Sequence, residues 1–549
     1  MIQPLCEPLP PVASTPKNSR PIPMTLQKKL QTVTRSVFFT VSSLLTCTMN
    51  LKSVFSILLA SSTIGLALAE TKRPNILWII AEDLSPFMGC YGDEINRSHT
   101  PHIDKLASEG VLFKRAYANA PVCSASRSSF ITGAMQTTTG THLHRSSRTT
   151  DGQVVPENLR IHLPKGMKTL PELMKAQGYF TFNNGKDDYN FHYDRRQLYD
   201  VGTKADYQAG MNGWQGNHAQ HSRSWTKDVW SSRPDRNQPW FGQIQIQGGK
   251  GDRRYIKPSQ KVNRASVTVP PYYPEAAAAR EAWALHYDEV RGSDTQVEKI
   301  IEQLRLDGEL DNTIVIFFSD HGSPSSLRHK QFCYEGGLHV PLMITGKHPS
   351  ITRGKIVNDL VSLVDLTATT LALGGGDIPK YYEGRNLLAP KLPPADYVVG
   401  ARDRCDYTID MSRTIRTENM RYIRNYHTDR IMMQSQYRDD APYTQEMWQL
   451  HREKKLNAYQ EAHWFGVRPF EELYDLASDP NQVKNLATDP KHRSELHRHR
   501  KLLDGWSIRT DDKGVYQESP EHLRATYDLW MKKPYFKDLE LNPEYKVFR

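Results

Sequence analysis

Between Arg73 and Gly322 the chain repeatedly gathers apolar residues into short runs and then breaks them with polar ones. RPNILWII (73–80) follows a proline, is continuously apolar and stops at Glu82–Asp83; NTIVIFFSDHG (312–322) behaves alike and stops at Asp320–His321. Continuous rather than alternating apolar runs predict strands buried on both faces of a parallel sheet. TPHIDKLASEGVLF (100–113) predicts a helix with Thr100 as N-cap, Pro101 at the first helical position and Gly110 as the stop. TLPELMKAQGYFTFNNGK (169–186) repeats the plan of short helix, glycine, strand and loop, and QPWFGQIQIQGGK (238–250) is a further strand running into glycines. PEAAAAREAWALHYDEVRGSDTQVEKIIEQL (274–304) predicts two helices with a break near Gly292.

Helices alternating with buried strands predict an α/β fold, a mostly parallel sheet sandwiched by helices, over residues 70–395. In such sheets ligands gather at the carboxyl ends of the strands, where both acidic pairs fall. From residue 396 to 549 the texture changes. RTIRTENMRYIRNYH (413–427) and ELYDLASDPNQVKNLA (472–487) predict short amphipathic strands, a turn and a helix start, hence a smaller C-terminal α+β domain.

The N-terminus has a different character. MNLKSVFSILLASSTIGLALAE (49–70) carries Lys52, an apolar stretch and small residues before Glu70, the order of a secretory signal peptide over 49–69. It starts at its own Met49, and residues 1–48 show no globular pattern, so they are taken as a non-native upstream extension. Export to the periplasm or the medium is the expectation, without a stable membrane span, because the apolar run is short. Of the net charge of +10, residues 1–69 supply half, with six Lys/Arg against one acid. The remainder is too mildly basic for a nucleic-acid partner and compatible with anionic substrates. Six cysteines include no C-x-x-C pair, which excludes zinc-ribbon and thioredoxin-type sites. A disulfide among Cys90, Cys333 and Cys405 is allowed in an exported chain.

Glu82–Asp83 and Asp320–His321 together offer three carboxylates and an imidazole, which suit a hard divalent cation such as Ca²⁺ or Mg²⁺. Cys123 heads VCSASRSSFITG (122–133); at a helix N-terminus an anion there is favoured by backbone amides, and Arg127 adds a guanidinium fork. Lys186 in NNGKDD, Lys250 in GGK and Lys330 in HKQFCYEGG all stand in glycine-containing loops. A lone lysine is usually surface solvation, and a lone exported cysteine usually structural. The joint placement is what a multiply charged oxyanion would require.

PNILWIIAEDL, TPHIDKLASEGVLFKRAYANAPVCSASRSSFITG, IVIFFSDHG, KQFCYEGGLHVPLMITG and ELYDLASDPNQVKNLA, in this order, resemble a type I, formylglycine-dependent sulfatase of the alkaline phosphatase superfamily. The family's C-x-P-x-R signature is CSASR here, with Ala125 in place of proline. The resemblance implies an alkaline phosphatase-like fold and oxidation of Cys123 to formylglycine by a maturation enzyme. It implies a hydrate nucleophile that forms a covalent sulfate and later eliminates it. Glu82, Asp83, Asp320 and His321, together with residue 123, correspond to the metal ligands. Arg127 corresponds to the residue steadying the formylglycine, and Lys186 and Lys330 to the sulfate contacts. Where the family has two acid–base histidines this chain has Asp188 and Lys250, so either these or His142 and His144 in GTHLHRS (140–146) take those roles; the two histidines are also candidate substrate contacts.

MQTTTGTHLHRS and GGK resemble the bacterial heparan N-sulfatase-like branch, and RYIRNYHTDR (421–430) suits a sulfated glycan or a polar sheet face. Release of sulfate from glycan esters or N-sulfates is the leading expectation. The alternatives are a phosphomonoesterase or phosphonate hydrolase of the same superfamily, and a non-catalytic polyanion-binding protein.

Overall fold

Asn75–Ala81 forms strand β1 and Thr313–Ser319 forms β5, both wholly buried, and they pair in parallel from Asn75–Thr313 to Ala81–Ser319. The computed structural model describes residues 72–146, 156–201, 229–325, 327–530 and 542–548. The proposed extension and signal segment lie outside them. Side chains alternate across the two strands. Ile76, Trp78, Ile80, Ile314, Ile316 and Phe318 enter one core; Leu77, Ile79, Ala81, Val315 and Phe317 enter another. This is the two-faced burial that a continuous apolar run implies, each large side chain contributing about 1.5–3 kcal/mol.

The remaining strands of this sheet are β2 (Gly110–Tyr117), β3 (Phe180–Asn184), β4 (Trp240–Ile246), β6 (His339–Val340), β7 (Leu342–Thr345) and β8 (Lys355–Ser362). Their order is β3-β4-β1-β5-β7-β2-β6, with β8 on β2. The pairs β3–β4, β4–β1, β1–β5 and β2–β8 are parallel, whereas β7 and β6 run antiparallel to their neighbours. The expected α/β sheet, mostly parallel and sandwiched by helices, is therefore present.

Helix α1 (Pro101–Ser108) and a long helix pack on one face. Phe130 and Ile131 of α2 (Cys123–Thr132) and Leu170 and Met174 of α3 (Leu170–Ala176) enter the core of the other face. One local expectation holds in position and another needs correction. Thr100 stands at the N-cap of α1 without a side-chain capping bond; its hydroxyl accepts from Gly89 N–H, and Asp294 caps from a distance by accepting from Ile103 N–H at 2.7 Å. Residues 277–306 form one unbroken helix, α4 (Ala277–Leu306), with Gly292 inside it because a neighbouring turn approaches too closely for a side chain.

A second, antiparallel sheet orders β12-β11-β10-β9, from β9 (Val398–Arg402), β10 (Ser412–Arg416), β11 (Met420–Asn425) and β12 (Glu471–Asp475). Ile415, Tyr422 and Leu473 meet Leu496, Leu503 and Trp506 of α5 (Arg493–Thr510) in a separate small core. Residues Lys72–Arg549 form one compact unit. The arginines of RYIRNYHTDR are engaged internally: Arg421 pairs with Glu335, Arg424 with Asp504 and Arg430 with Glu544. Cys90, Cys123, Cys333 and Cys405 are free thiols, so none of the allowed disulfides forms. Among the described residues no helix is long and apolar enough to cross a membrane.

Candidate active site

Four adjacent parallel strands deliver the polar residues at one edge. The carboxyl ends of β3, β4, β1 and β5 lead into Lys186, Lys250, Glu82–Asp83 and Asp320–His321 respectively. Cys123 begins α2, fully buried, beneath this row. Asp83, Cys123, Asp320 and His321 place one donor atom each within 4.8 Å of the others. His321 Nε2 stands 3.2 Å from Cys123 Sγ and 3.1 Å from Asp83 Oδ1, while its Nδ1 is fixed 2.9 Å from Gly322 O. Asp83 N–H donates to Asp320 Oδ1 at 2.9 Å, which ties the two strand ends together. Glu82 lies beside this group, its Oε1 3.8 Å from Cys123 Sγ. Buried carboxylates with one imidazole make a donor set that fits a divalent cation.

Cations enclose the same space. Lys330 Nζ is 2.7 Å from Asp83 Oδ2 and 3.3 Å from Cys123 Sγ. Lys250 Nζ lies 2.6 Å from Glu82 Oε1 and 4.0 Å from Cys123 Sγ, and Lys186 Nζ also contacts Glu82 Oε1. Burial and the Asp83 carboxylate push the Cys123 thiol up, but Lys186, Lys250 and Lys330 outweigh them and hold it well below its ordinary value. Burial likewise opposes ionisation of Asp83, yet Lys250, Lys330 and His321 hold it well below the usual carboxylate range. The pocket thus favours negative charge on residue 123.

Arg127 is buried one turn along α2. Its Nε donates to Asp320 Oδ2 at 2.9 Å, and its Nη1 to Gln245 Oε1 at 2.8 Å and Lys186 O at 3.2 Å. It therefore braces Asp320 and the Lys186 loop. Asp188 is gripped by Arg145 Nε and Nη2 at 2.9 and 2.8 Å and lies 3.2 Å from Lys186 Nζ. Although burial opposes it, Arg145 and Lys186 hold Asp188 far below the usual range, as an anion. His144 is buried with Nδ1 3.1 Å from Asp406 Oδ1, and a ring nitrogen lies within 4.8 Å of both Cys123 and Asp188. His142 is half-buried nearby in sequence, and burial pushes its imidazole down despite the Asp403 carboxylate.

Backbone strain concentrates here. Asp83, Arg145, Asp188, Gln331 and Asp406 adopt φ of 54°, 56°, 52°, 75° and 53°, in the left-handed region that non-glycine residues rarely enter. Gly248, at φ 51°, and Gly249 have a different task. A Cβ on either would fall 2.1–2.2 Å from the carbonyl oxygen of Glu82 or Asp83, so only glycines let the GGK turn lie on that peptide. Arg145, Gln245, Asp406 and Tyr437, over whose ring Lys330 Nζ sits at 5.8 Å, were not singled out by the sequence. Arg145 was adjacent to a flagged histidine. Asp406 and Tyr437 carry no local signal, because they belong to segments brought in by the second sheet.

A buried helix start bearing Cys123 thus lies beside carboxylates and lysines at the carboxyl ends of a mostly parallel sheet. The fold agrees with the crystal structure of the phosphonate monoester hydrolase of Agrobacterium radiobacter, at a TM-score of 0.56 and 18% identity over 82% of this chain and 99% of that one. The family model described as Sulfatase matches residues 74–376. An ulvan-active sulfatase of Formosa agariphila is 31% identical over 490 residues, covering 82% of this chain and 77% of that protein. The N-sulphoglucosamine sulphohydrolase of Homo sapiens is 25% identical over 486 residues, covering 82% and 93%. The chain belongs to the sulfatase family, enzymes that hydrolyse sulfate esters.

Proposed function

We propose that the protein is exported and releases inorganic sulfate from a sulfated glycan, with residue 123 as nucleophile in its formylglycine form. The observation that carries this reading is the position of Cys123, in contact at once with the Asp83–His321 cluster and the Lys330 ammonium. The names of the relatives, active on ulvan and on N-sulphoglucosamine, support a sulfated carbohydrate as substrate. The order of charge, apolar run and small residues over 49–69 supports export.

Asp83, Asp320 and His321, with Glu82 beside them, would hold a divalent cation, Ca²⁺ or Mg²⁺, which supplies polarisation of a sulfate oxygen. Formylglycine at 123, made by a maturation enzyme, would supply a hydrated aldehyde as the attacking hydroxyl. The chain's own groups do the rest. Lys330 and Lys186, ammonium groups beside residue 123 and Glu82, would stabilise charge gathering on sulfate oxygens, and Arg127 keeps Asp320 and the Lys186 loop from moving apart. Asp188, anionic under Arg145 and Lys186, has no proton to give a leaving group. Lys250 does: the Asp83 and Glu82 carboxylates overcome its burial and keep its ammonium protonated, and its side chain is 29% exposed. His144, 3.1 Å from Asp406 and close to residue 123, would be the substrate contact among the histidines.

The test is mass spectrometry of the peptide bearing residue 123 from a host with the maturation system, paired with assays of sulfate and phosphate release from matched esters. Formylglycine, and sulfate release lost in Cys123→Ala at an unchanged melting temperature, are expected. An intact cysteine in active protein, phosphate released in preference to sulfate, or normal turnover by Cys123→Ala would each overturn the reading.

A further inference from the structure

Lys250 reaches the site on a turn too short to hold itself. Gly248–Lys250 is one 3-10 turn, followed by a second over Asp252–Tyr255. On one side the turn rests on β1's carboxyl end, with Gly249 N–H donating to Glu82 O at 2.8 Å. On the other it meets α4. Asp252 is fully buried, and its Oδ2 accepts from Gly248 N–H at 2.8 Å and from Ser293 Oγ at 2.9 Å. Arg253 N–H donates to Glu289 Oε2 at 2.7 Å, and the Arg253 side chain pairs with the same carboxylate. Glu289, Gly292 and Ser293 lie at i, i+3 and i+4 on one face of α4, so the helix presents a single grip to the turn.

We infer that Asp252 is a positioning residue, which fixes the Gly248–Lys250 turn between α4 and the Glu82–Asp83 peptide and thereby sets where the Lys250 ammonium stands beside residue 123. The inference rests on the role proposed above for Lys250. Burial pushes the Asp252 carboxyl up to about 7, against the bonds from Ser293 and Gly248; the Glu289 carboxylate adds to the rise and Arg254 opposes it. Its Oδ1 has no hydrogen-bond partner among the described residues. A buried carboxyl group with one unpaired oxygen is a poor way to stabilise a fold. Its two bonds instead join the glycine preceding the GK pair to a helix, which is what placing a short turn requires.

The experiment is a double-mutant cycle on the full-length matured enzyme, reading kcat and KM for sulfate release in the parent, Asp252→Ala, Lys250→Ala and the double variant. Asp252→Ala is expected to lower kcat about tenfold with KM within about threefold, and to change kcat less than about twofold when Lys250 is already alanine. Equal losses in both backgrounds would overturn the inference. Asp252→Asn, which keeps an acceptor for Gly248 and Ser293, is expected to recover most of the lost kcat and serves in the cycle if the alanine variant does not fold; no recovery would count against positioning. Full kcat in Lys250→Ala would remove the Lys250 role and this inference together. The parent's own sulfate release would still stand, which separates that failure from failure of the sulfatase reading.

Discussion

Gly292→Ala sets two physical rules against each other. In a solvent-exposed helix interior alanine is favoured over glycine by about 1 kcal/mol. At position 292 the added Cβ would fall 1.9 Å from the Asp252 carbonyl oxygen, 2.2 Å from its carbon and 2.8 Å from Arg253 N. These are backbone atoms, so no rotamer change relieves the overlap. Forcing them apart costs about 1–3 kcal/mol as overpacking. It also strains the bonds from Arg253 N–H to Glu289 and from Ser293 Oγ to Asp252, each worth about 1 kcal/mol. Against the helical gain, a net loss of about 2 kcal/mol is expected. Urea unfolding checks it as a lower midpoint at unchanged slope. Because the displaced turn carries Lys250, kcat should fall as well, while KM for a small sulfate ester stays close to the parent's. A variant more stable than the parent would refute the packing argument, and one with unaltered kcat would refute the link from α4 to the site.

Three further outcomes are expected. Arg127→Lys keeps the charge but cannot reach both Asp320 Oδ2 and Gln245 Oε1, so it should lose about 2–4 kcal/mol of stability; an unchanged melting temperature would contradict the bracing role. Prolonged chelation should lower both sulfate release and the melting temperature, with recovery on adding Ca²⁺ or Mg²⁺, whereas two unmoved readouts would count against a resident cation. Burial pushes Asp294 up to about 7, above an unfolded-state value near 4, so the folded chain holds its proton longer and loses stability as pH rises from about 4 to 7. Asp294→Asn, which retains the acceptor for Ile103 N–H, should remove that slope, so its melting temperature gains on the parent's across this window; parallel curves would exclude the group as the cause.

The strands that bear the chemistry were legible because they are buried on both faces. A strand such as β1 cannot alternate, and its apolar run has to end where the chain leaves the sheet, so Glu82–Asp83 and Asp320–His321 marked their own positions. GGK was legible for a similar reason, since two glycines at a strand end signal backbone approaching backbone. The sheet's other half was harder. β6 and β7 are short and antiparallel, and β8 is mostly exposed at its start, so neither length nor apolarity separates them from loops. Gly292 misled through a true rule misapplied: glycine does weaken a helix, but here close packing requires it. Arg145 and Asp406 reach Asp188 and His144 across 43 and 262 positions of chain, and a single sequence carries no pattern that pairs them. Nor could the RYIRNYHTDR arginines be told from ligand contacts before their carboxylate partners were known.

Cys123 begins its helix with no solvent-accessible surface, under four strand ends and three lysines. A protein catalyst needs its target peptide extended and within reach, and the finished fold offers neither. The proposed conversion of this residue by a maturation enzyme is therefore expected on the nascent or unfolded chain. The folding rate then becomes a deadline: a substitution that only hastens closure around residue 123 would yield well-folded, stable and inert protein.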